Sequence, residues 1–283
     1  MNSKPWKQIE YTDLPEVPEV GKIQIRDALW PMAMESHPEE VEFLLLQSGC
    51  KRIWVEDRCY EMLGGELLVV LPGERHGAEQ DVQNRTSLSY FLMAVPTAPG
   101  SFCMMEEGER KALWEQIQGL HGRKLKVSGA VCRAMDRLYD SANAGGPLER
   151  VRTRVSLLNV LFQVLKEAGD SGAALPADIA GSIRYIRESR GEMPDIAQMA
   201  ARVNLSESRF KQKFKQATGI PPAEFMIREK IDAARVLLES SPRTVTSIAM
   251  ELGFSSSQHF SVLFKKYVGE SPVQYRKNHE FVS

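Results

Sequence analysis

From Ile23 to Val95 the chain runs in short apolar or alternating blocks, EFLLLQSG, KRIWVEDRCYEM, LGGELLVVLPGERHG and LSYFLMAV, separated by Gly, Pro and Asp. Blocks of this kind, interrupted by turn residues roughly every 8–12 positions, predict an antiparallel β-sandwich or small β-barrel. After Pro99 the period changes. Glu106–Gly119 and Ser128–Ala142 read as helices, and Pro147 opens a longer one in which Leu148, Val151, Val155, Leu158, Phe162 and Leu165 recur every three or four residues. That stripe either packs on the barrel or meets a paired helix in a dimer. The segment EAGDSGAALPAD, Glu167–Asp178, is small, Gly/Ala-rich and carries a Pro, as an interdomain linker does. Beyond it Ile183, Ile186, Ile196, Met199, Ala200 and Val203 keep a helical period and strand alternation disappears. The expected fold class is therefore α+β: a β domain over residues 1–100, a helical segment over 101–168, a linker over 169–177 and an all-α domain over 178–283.

The last hundred or so residues contain one pattern twice. IAQMAARVNLSESRFKQKFKQATGIPPAEF runs from Ile196 to Phe225, and VTSIAMELGFSSSQHFSVLFKKYVGESPVQY from Val245 to Tyr275. Ala200, Val203, Leu205 and Ser206 match Ala249, Leu252, Phe254 and Ser255 at an offset of 49. After one inserted residue, Phe210, Phe214, Gly219, Pro222 and Phe225 match Phe260, Phe264, Gly269, Pro272 and Tyr275 at an offset of 50. Each copy has the order of a helix-turn-helix. A small residue, Ala200 or Ala249, sits where a second helix crosses closely, and Asn204 or Gly253 permits a turn with positive φ. Leu205 or Phe254 plugs the space between the helices. Ser206, or Ser255/Ser256 in the second copy, supplies an N-cap oxygen.

With each Phe pair facing inward at i and i+4, the outward positions are Ser208, Arg209, Lys211, Gln212 and Lys215 in the first copy. In the second they are Ser257, Gln258, His259, Ser261 and Lys265. Arg and Lys donate to guanine O6/N7, Gln pairs with adenine N6/N7, and Ser or His reaches a base edge or a phosphate. Lys213, Lys215, Lys265 and Lys266 are expected to neutralise phosphates, which orients a domain on double-stranded DNA without reading sequence. Between the copies, Pro222–Ser240 reads as one amphipathic helix with Ile227, Ile231, Ala234 and Leu238 on a single face. At ~1.5 Å per residue it is about 27 Å long, suited to holding two recognition helices in successive major-groove windows.

These residues resemble the AraC/XylS transcriptional regulators. The resemblance rests on LSESRFKQKFKQATGIPPAEF, on Arg228 and Ala233 to Leu238 of the linker helix, and above all on IAMELGFSSSQHFSVLFKKYVGESPVQYR. It covers Asp178–Lys277. It implies base contacts from Ser208, Lys211, Gln212, Ser257, Gln258, His259 and Ser261, a homodimer, and activation through contact with RNA polymerase. Val262 departs from it, standing where a long polar side chain is expected.

Charge follows this division. From Leu175 onward there are 16 Lys+Arg and 12 Asp+Glu, net +4, while the preceding residues carry 20 and 25, net −5, within a chain of net charge −1. A basic half that meets DNA and an acidic half that senses something else are consistent with this asymmetry. No apolar run reaches the roughly 18 residues of a membrane span, and no leader-type segment opens the chain, so a cytoplasmic, membrane-free protein is expected. Cys50, Cys59, Cys103 and Cys132 lie 9, 44 and 29 residues apart, neither a metal-ligand nor a redox pairing.

In the acidic half, Glu35-Ser36-His37, Glu42 and Gly49 follow the spacing of a first cupin motif, with Glu where its first His would stand. Pro72-Gly73-Glu74-Arg75-His76, after Gly64-Gly65, resembles the second motif with one residue fewer between Pro and His. The resemblance implies a cupin-like sensor domain. One reading is that His37, Glu42 and His76, with an aromatic wall of Trp30 or Trp54, bind a small polar effector such as a sugar. A second is that Glu35, His37, Glu42 and His76 hold a divalent metal. A third gives them only turn and rim roles, and Trp54 suits the core better than a pocket wall. The rival class, a cupin-type metal enzyme fused to a DNA-binding domain, needs a full ligand set. The missing first His, the shortened second motif and the lack of an acid/base pair count against it, so no catalytic residue, cofactor or enzymatic activity is expected.

Overall fold

In a computed structural model of the chain, residues 6–25, 32–78, 86–97, 102–120, 123–169, 175–189 and 194–279 are described. The N-terminal half carries ten strands: β1 Trp6–Tyr11, β2 Glu19–Ile25, β3 Met32–Glu35, β4 Glu40–Ser48, β5 Cys50–Val55, β6 Arg58–Leu63, β7 Glu66–Val70, β8 His76–Ala78, β9 Thr86–Ala94 and β10 Lys124–Lys126. They pair antiparallel in two sheets, ordered β1-β2-β9-β4-β7-β10 and β3-β8-β5-β6. The apolar blocks of the sequence fall on β4 to β9. β1, most of β2, β3 and β10 were not legible, being short or polar, and β10 is held by its pairing with β7 rather than by its own pattern, KLK.

Alternation along β4 and β7 builds two cores from one sheet. Val41, Phe43, Leu45, Leu67 and Val69 face three helices, α1 Glu107–Gln118, α2 Gly129–Ala144 and α3 Pro147–Gly169, with Phe43 stacked on Phe91 at 4.7 Å between ring centroids. Leu44, Leu46, Leu68 and Val70 face Ile53, Val55, Tyr60 and Met62 of the smaller sheet. Both faces of these strands are buried, which is why they read as continuous apolar runs.

The stripe expected on α3 packs only in part. Thr153, Leu157, Val160, Leu161 and Val164 are buried against the sheet and α2, and Leu158 and Leu165 of the stripe pack half-buried on the same core, whereas Leu148, Val151, Val155 and Phe162 remain 62, 49, 61 and 54% exposed. Packing on the barrel therefore accounts for two of the six stripe residues. A long helix with two apolar faces shows both in its sequence, and periodicity alone does not say which one the domain covers.

The C-terminal half is helical: α4 Ala177–Glu188, α5 Ile196–Arg202, α6 Glu207–Thr218, α7 Pro222–Ser240, α8 Val245–Glu251, α9 Ser257–Val268 and α10 Pro272–His279. It has two small cores. In the first, Phe210, Phe214 and Phe225 pack with Ile179, Ile183, Ile186, Met199 and Ala200; in the second, Phe254, Phe260, Phe264 and Tyr275 pack with Ile231, Ala234, Leu238, Ile248 and Ala249. Phe264 is fully buried, its ring 5.4 Å from both Phe260 and Tyr275. Among the described residues no helix is long and apolar enough to cross a membrane. Phe264→Ala should destabilise the second core by about 3–5 kcal/mol, the cost of an emptied aromatic site. Equilibrium urea unfolding checks this, and a loss below about 1 kcal/mol would show that the core closes over the void.

Candidate functional site

The two repeated segments adopt one local geometry. Asp195 and Thr244 cap seven-residue helices, their side chains accepting from the Gln198 and Ser247 amides. Asn204 at φ 53° and Gly253 at φ 66° then turn the chain. Ser206 and Ser256 accept from the Arg209 and His259 amides and start twelve-residue helices, which end on Gly219 and Gly269 in the left-handed region. The cap in the second copy is thus Ser256 rather than Ser255, and the extra residue falls before the cap, where it leaves the helix register undisturbed.

With Phe210, Phe214, Phe260 and Phe264 fully buried, the opposite faces of α6 and α9 point outward. Ser208, Arg209, Lys211, Gln212 and Lys215 are exposed on α6. On α9, Gln258, His259 and Lys265 are exposed and Ser257 and Ser261 half-buried, Ser261 donating to the Ser257 carbonyl at 2.8 Å. His259 Nδ1 lies 3.1 Å from Ser255 Oγ, which orients its ring. Lys211 is within 3.1 Å of Glu207, an exposed i,i+4 pair of small energetic weight. Val262 is 67% exposed, an apolar patch on an otherwise polar face. Lys213 departs from expectation. Its ammonium lies 2.5 Å from Asp178 on α4 and holds that carboxyl below the ordinary aspartate value, so it braces α4 against α6 while its side chain remains 39% exposed. Lys266 lies 5.8 Å from the Tyr267 ring centroid.

The linker helix α7 belongs to both cores. Phe225 at its start meets Phe214 at 5.5 Å, while Ile231, Ala234 and Leu238 along its length pack on α8 and α9. Lys230 donates to the Gly253 carbonyl at 3.0 Å and Arg235 to Tyr275 Oη at 3.1 Å.

The N-terminal domain is clasped to the first of these units, a contact no sequence pattern announced because its partners lie up to 180 residues apart. Gly64 N–H donates to Thr218 O at 2.9 Å at the end of α6, and a Cβ on Gly64 would come within 2.6 Å of Gly219 Cα. Lys126 Nζ donates to Gly64 O and to Ala217 O, each at 2.6 Å, and burial pushes its ammonium below the ordinary lysine value. Leu63 is buried in the first unit's core. Arg187 pairs with Glu61 and, at 3.3 Å, with Glu229, whose carboxyl burial holds above its usual range; Arg52 pairs with Asp232 at 3.2 Å, and Arg228 donates to Cys50 O at 3.3 Å. These groups line a cavity of roughly 320 Å³.

Of the candidate effector residues, His37, Glu42 and His76 converge, and Glu35 joins them. Glu35 at the end of β3, His37 just after it, Glu42 on β4 and His76 on β8 come together. His76 Nε2 lies 2.6 Å from Glu42 Oε2 and 3.9 Å from Glu35 Oε1, and His37 Nε2 lies 3.9 Å from Glu42 Oε2. Burial disfavours a charged His76, but Glu42 and then Glu35 outweigh it and raise its pKa, so the site favours positive charge. Trp54 does not join them. It is half-buried, and its neighbours Ile53 and Val55 belong to the inter-sheet core, so alternation turns Trp54 to the outer face. Trp30 lies outside the described residues.

A family profile described as a helix-turn-helix domain matches residues 199–278. The HTH-type transcriptional activator RhaS of Escherichia fergusonii is 25% identical over 254 residues, 87% of this chain and 88% of that protein. The MmsAB operon regulatory protein of Pseudomonas aeruginosa is 35% identical over 100 residues, 35% of this chain and 33% of that protein. Among solved structures, the C-terminal domain of AraT, a response regulator from Geobacillus stearothermophilus, is 25% identical with a TM-score of 0.38, covering 39% of this chain and 93% of that one.

Lys126→Met removes that lysine's two charge-assisted bonds, one to Gly64 O within the N-terminal domain and one to Ala217 O across the clasp, each worth about 1.5–3 kcal/mol net. Amide exchange in the β6–β7 turn should speed up by about tenfold or more, since Gly64 N–H reports the contact. Unchanged exchange would mean that the two domains are held by other contacts.

Proposed function

We propose that this chain, a transcriptional regulator of the AraC/XylS type by its helix-turn-helix domain, binds operator DNA through α6 and α9 under the control of an effector in its N-terminal domain. The observation that carries this reading is the duplicated geometry: two capped helices, each anchored by a buried Phe pair and polar on its outer face, joined by a helix common to both cores. Ser208, Arg209, Lys211 and Gln212, with Ser257, Gln258, His259 and Ser261, supply the donors and acceptors that base edges require. Lys215 and Lys265, which have no carboxylate partner among the described residues, take phosphates.

The N-terminal domain is a cupin-like sensor. Its effector is a small polar molecule, such as a sugar, bound by His37, Glu42 and His76. The relay to DNA runs along the β5–β6 hairpin. Val55 pairs with His76 at one end, while Cys50 at the other end and Arg52 between them touch α7. About five residues at ~3.3 Å each separate the two ends. An effector that prefers one position of β8 therefore biases the clasp, and with it the presentation of α6. The α3 stripe, exposed at Leu148, Val151, Val155 and Phe162 and half-buried at Leu158 and Leu165, repeats at alternating intervals of three and four, the spacing of a coiled-coil seam, and suits a second copy of α3 in a homodimer. Activation through RNA polymerase is the expected outcome, in keeping with the relative named as an activator. The protein acts in the cytoplasm and is not an enzyme.

Gln258→Ala should weaken binding to a selected operator by about 1–3 kcal/mol and relax preference at one position. Lys215→Ala should weaken all sequences alike and lower the salt slope by about one. Fluorescence anisotropy on operator and scrambled duplexes over a salt series distinguishes them. Equal loss on both duplexes for Gln258→Ala would remove it from base reading. Phe162→Glu should shift the chain from dimer to monomer in sedimentation, and an unchanged dimer would place the interface elsewhere.

A further inference from the structure

We infer that Val262 reads sequence, its two γ-methyls packing on the C5-methyl of a thymine in the major-groove window of the second unit. The inference rests on the reading of α6 and α9 as recognition helices and assigns a base to one of them.

At ~100° per residue, Val262 lies roughly 175° around α9 from the mean direction of its buried residues, Phe260, Phe264, Tyr267 and Val268. It therefore stands at the crest of the outward face, the position that reaches deepest when that face enters a groove. Gln258 precedes it by one turn, and Lys265 and Lys266 follow it by one turn, all three exposed. The crest thus runs from a side chain suited to a base edge to two suited to phosphates, with Val262 between them at 67% exposure.

Nothing in the fold calls for valine there. Among the described residues of α6 and α9 it is the one exposed apolar side chain, and it joins neither core of the C-terminal half. A β-branched residue forms helix less readily than Ala or Gln, and its methyl groups gain nothing from contact with water. With no exposed apolar neighbour on α9, a single valine is also too small a patch to dock a protein, but it is large enough to cover one methyl group.

The duplication supplies the comparison. At the offset of 50, Val262 takes the place of Gln212, which stands at the same crest, roughly 175° from the mean direction of Phe210, Phe214, Ala217 and Thr218. One equivalent point thus carries an amide in the first unit and two methyls in the second. In the major groove an amide pairs with adenine N6 and N7, whereas the apolar group on offer is the thymine methyl. Gln212 and Val262 therefore favour different bases, and the two windows of an operator differ at this place.

An operator is selected with the full chain, and each thymidine in its two windows is replaced in turn by 2′-deoxyuridine, which removes the C5-methyl and leaves the pairing face intact. Affinity is read by fluorescence anisotropy at fixed salt. One replacement in the second window should weaken binding about fourfold, the worth of roughly one methyl taken out of water. Val262→Ala should weaken binding to the thymidine duplex and cut the effect of that same replacement to less than about 1.5-fold, while replacements in the first window keep their effect. Val262→Gln should move the preference at that base pair from thymine to adenine. If no thymidine of the second window is sensitive, or if Val262→Ala leaves the sensitivity unchanged, the inference is overturned while the selected operator still supports the regulator reading. A chain that selects no operator refutes that reading, and this inference with it.

Discussion

The sharing of α7 between two cores is the constraint on which the C-terminal half depends. Phe225 inserts into one core, and Ile231, Ala234 and Leu238 into the other, so the helix cannot tilt relative to one unit without disturbing the second. Nineteen residues make a rod of about 28 Å. Neither unit would bury enough apolar surface alone to be stable, since each core comprises only about a dozen side chains. The same contacts that stabilise the units therefore fix the spacing of α6 and α9, and a spacing fixed before binding lets two weak recognition surfaces act as one.

The clasp extends that rigidity to the N-terminal domain, though through a different kind of contact. The cores of the two units are apolar and closely packed, whereas the clasp is made of a backbone hydrogen bond, a half-buried lysine and ion pairs around a polar cavity. Polar contacts of this type break at lower cost than a core, and a few kilocalories per mole separate their made and broken states. β5 carries the connection, with its Val55 end beside His76 and its Cys50 end against Arg228.

Much of the C-terminal half was legible in the sequence because its constraints are local. Caps, positive-φ turns and Phe pairs at i and i+4 lie within a few residues of one another, and duplication made each one visible twice. The barrel strands were legible where apolar runs were long, as on β4 and β7, and not where pairing alone defines them, as on β10. What escaped was non-local. Lys213 looked like a phosphate ligand, and Trp54 like a core residue or a pocket wall. Their placements follow from Asp178 and the alternation of β5, neither of which a linear pattern reveals. Glu35, His37, Glu42 and His76 were assembled from motif spacing, but the burial of His76 against Glu42 at 2.6 Å appears only in three dimensions.

The central claim is that α7 holds α6 and α9 in a single, fixed spacing on one duplex. Methylation-interference footprinting of the chain on a selected operator tests it most directly. Two windows of major-groove guanine contacts per subunit, one helical turn or about 10 base pairs apart, are predicted. A single window, or two whose separation varies from one selected operator to the next, would contradict it.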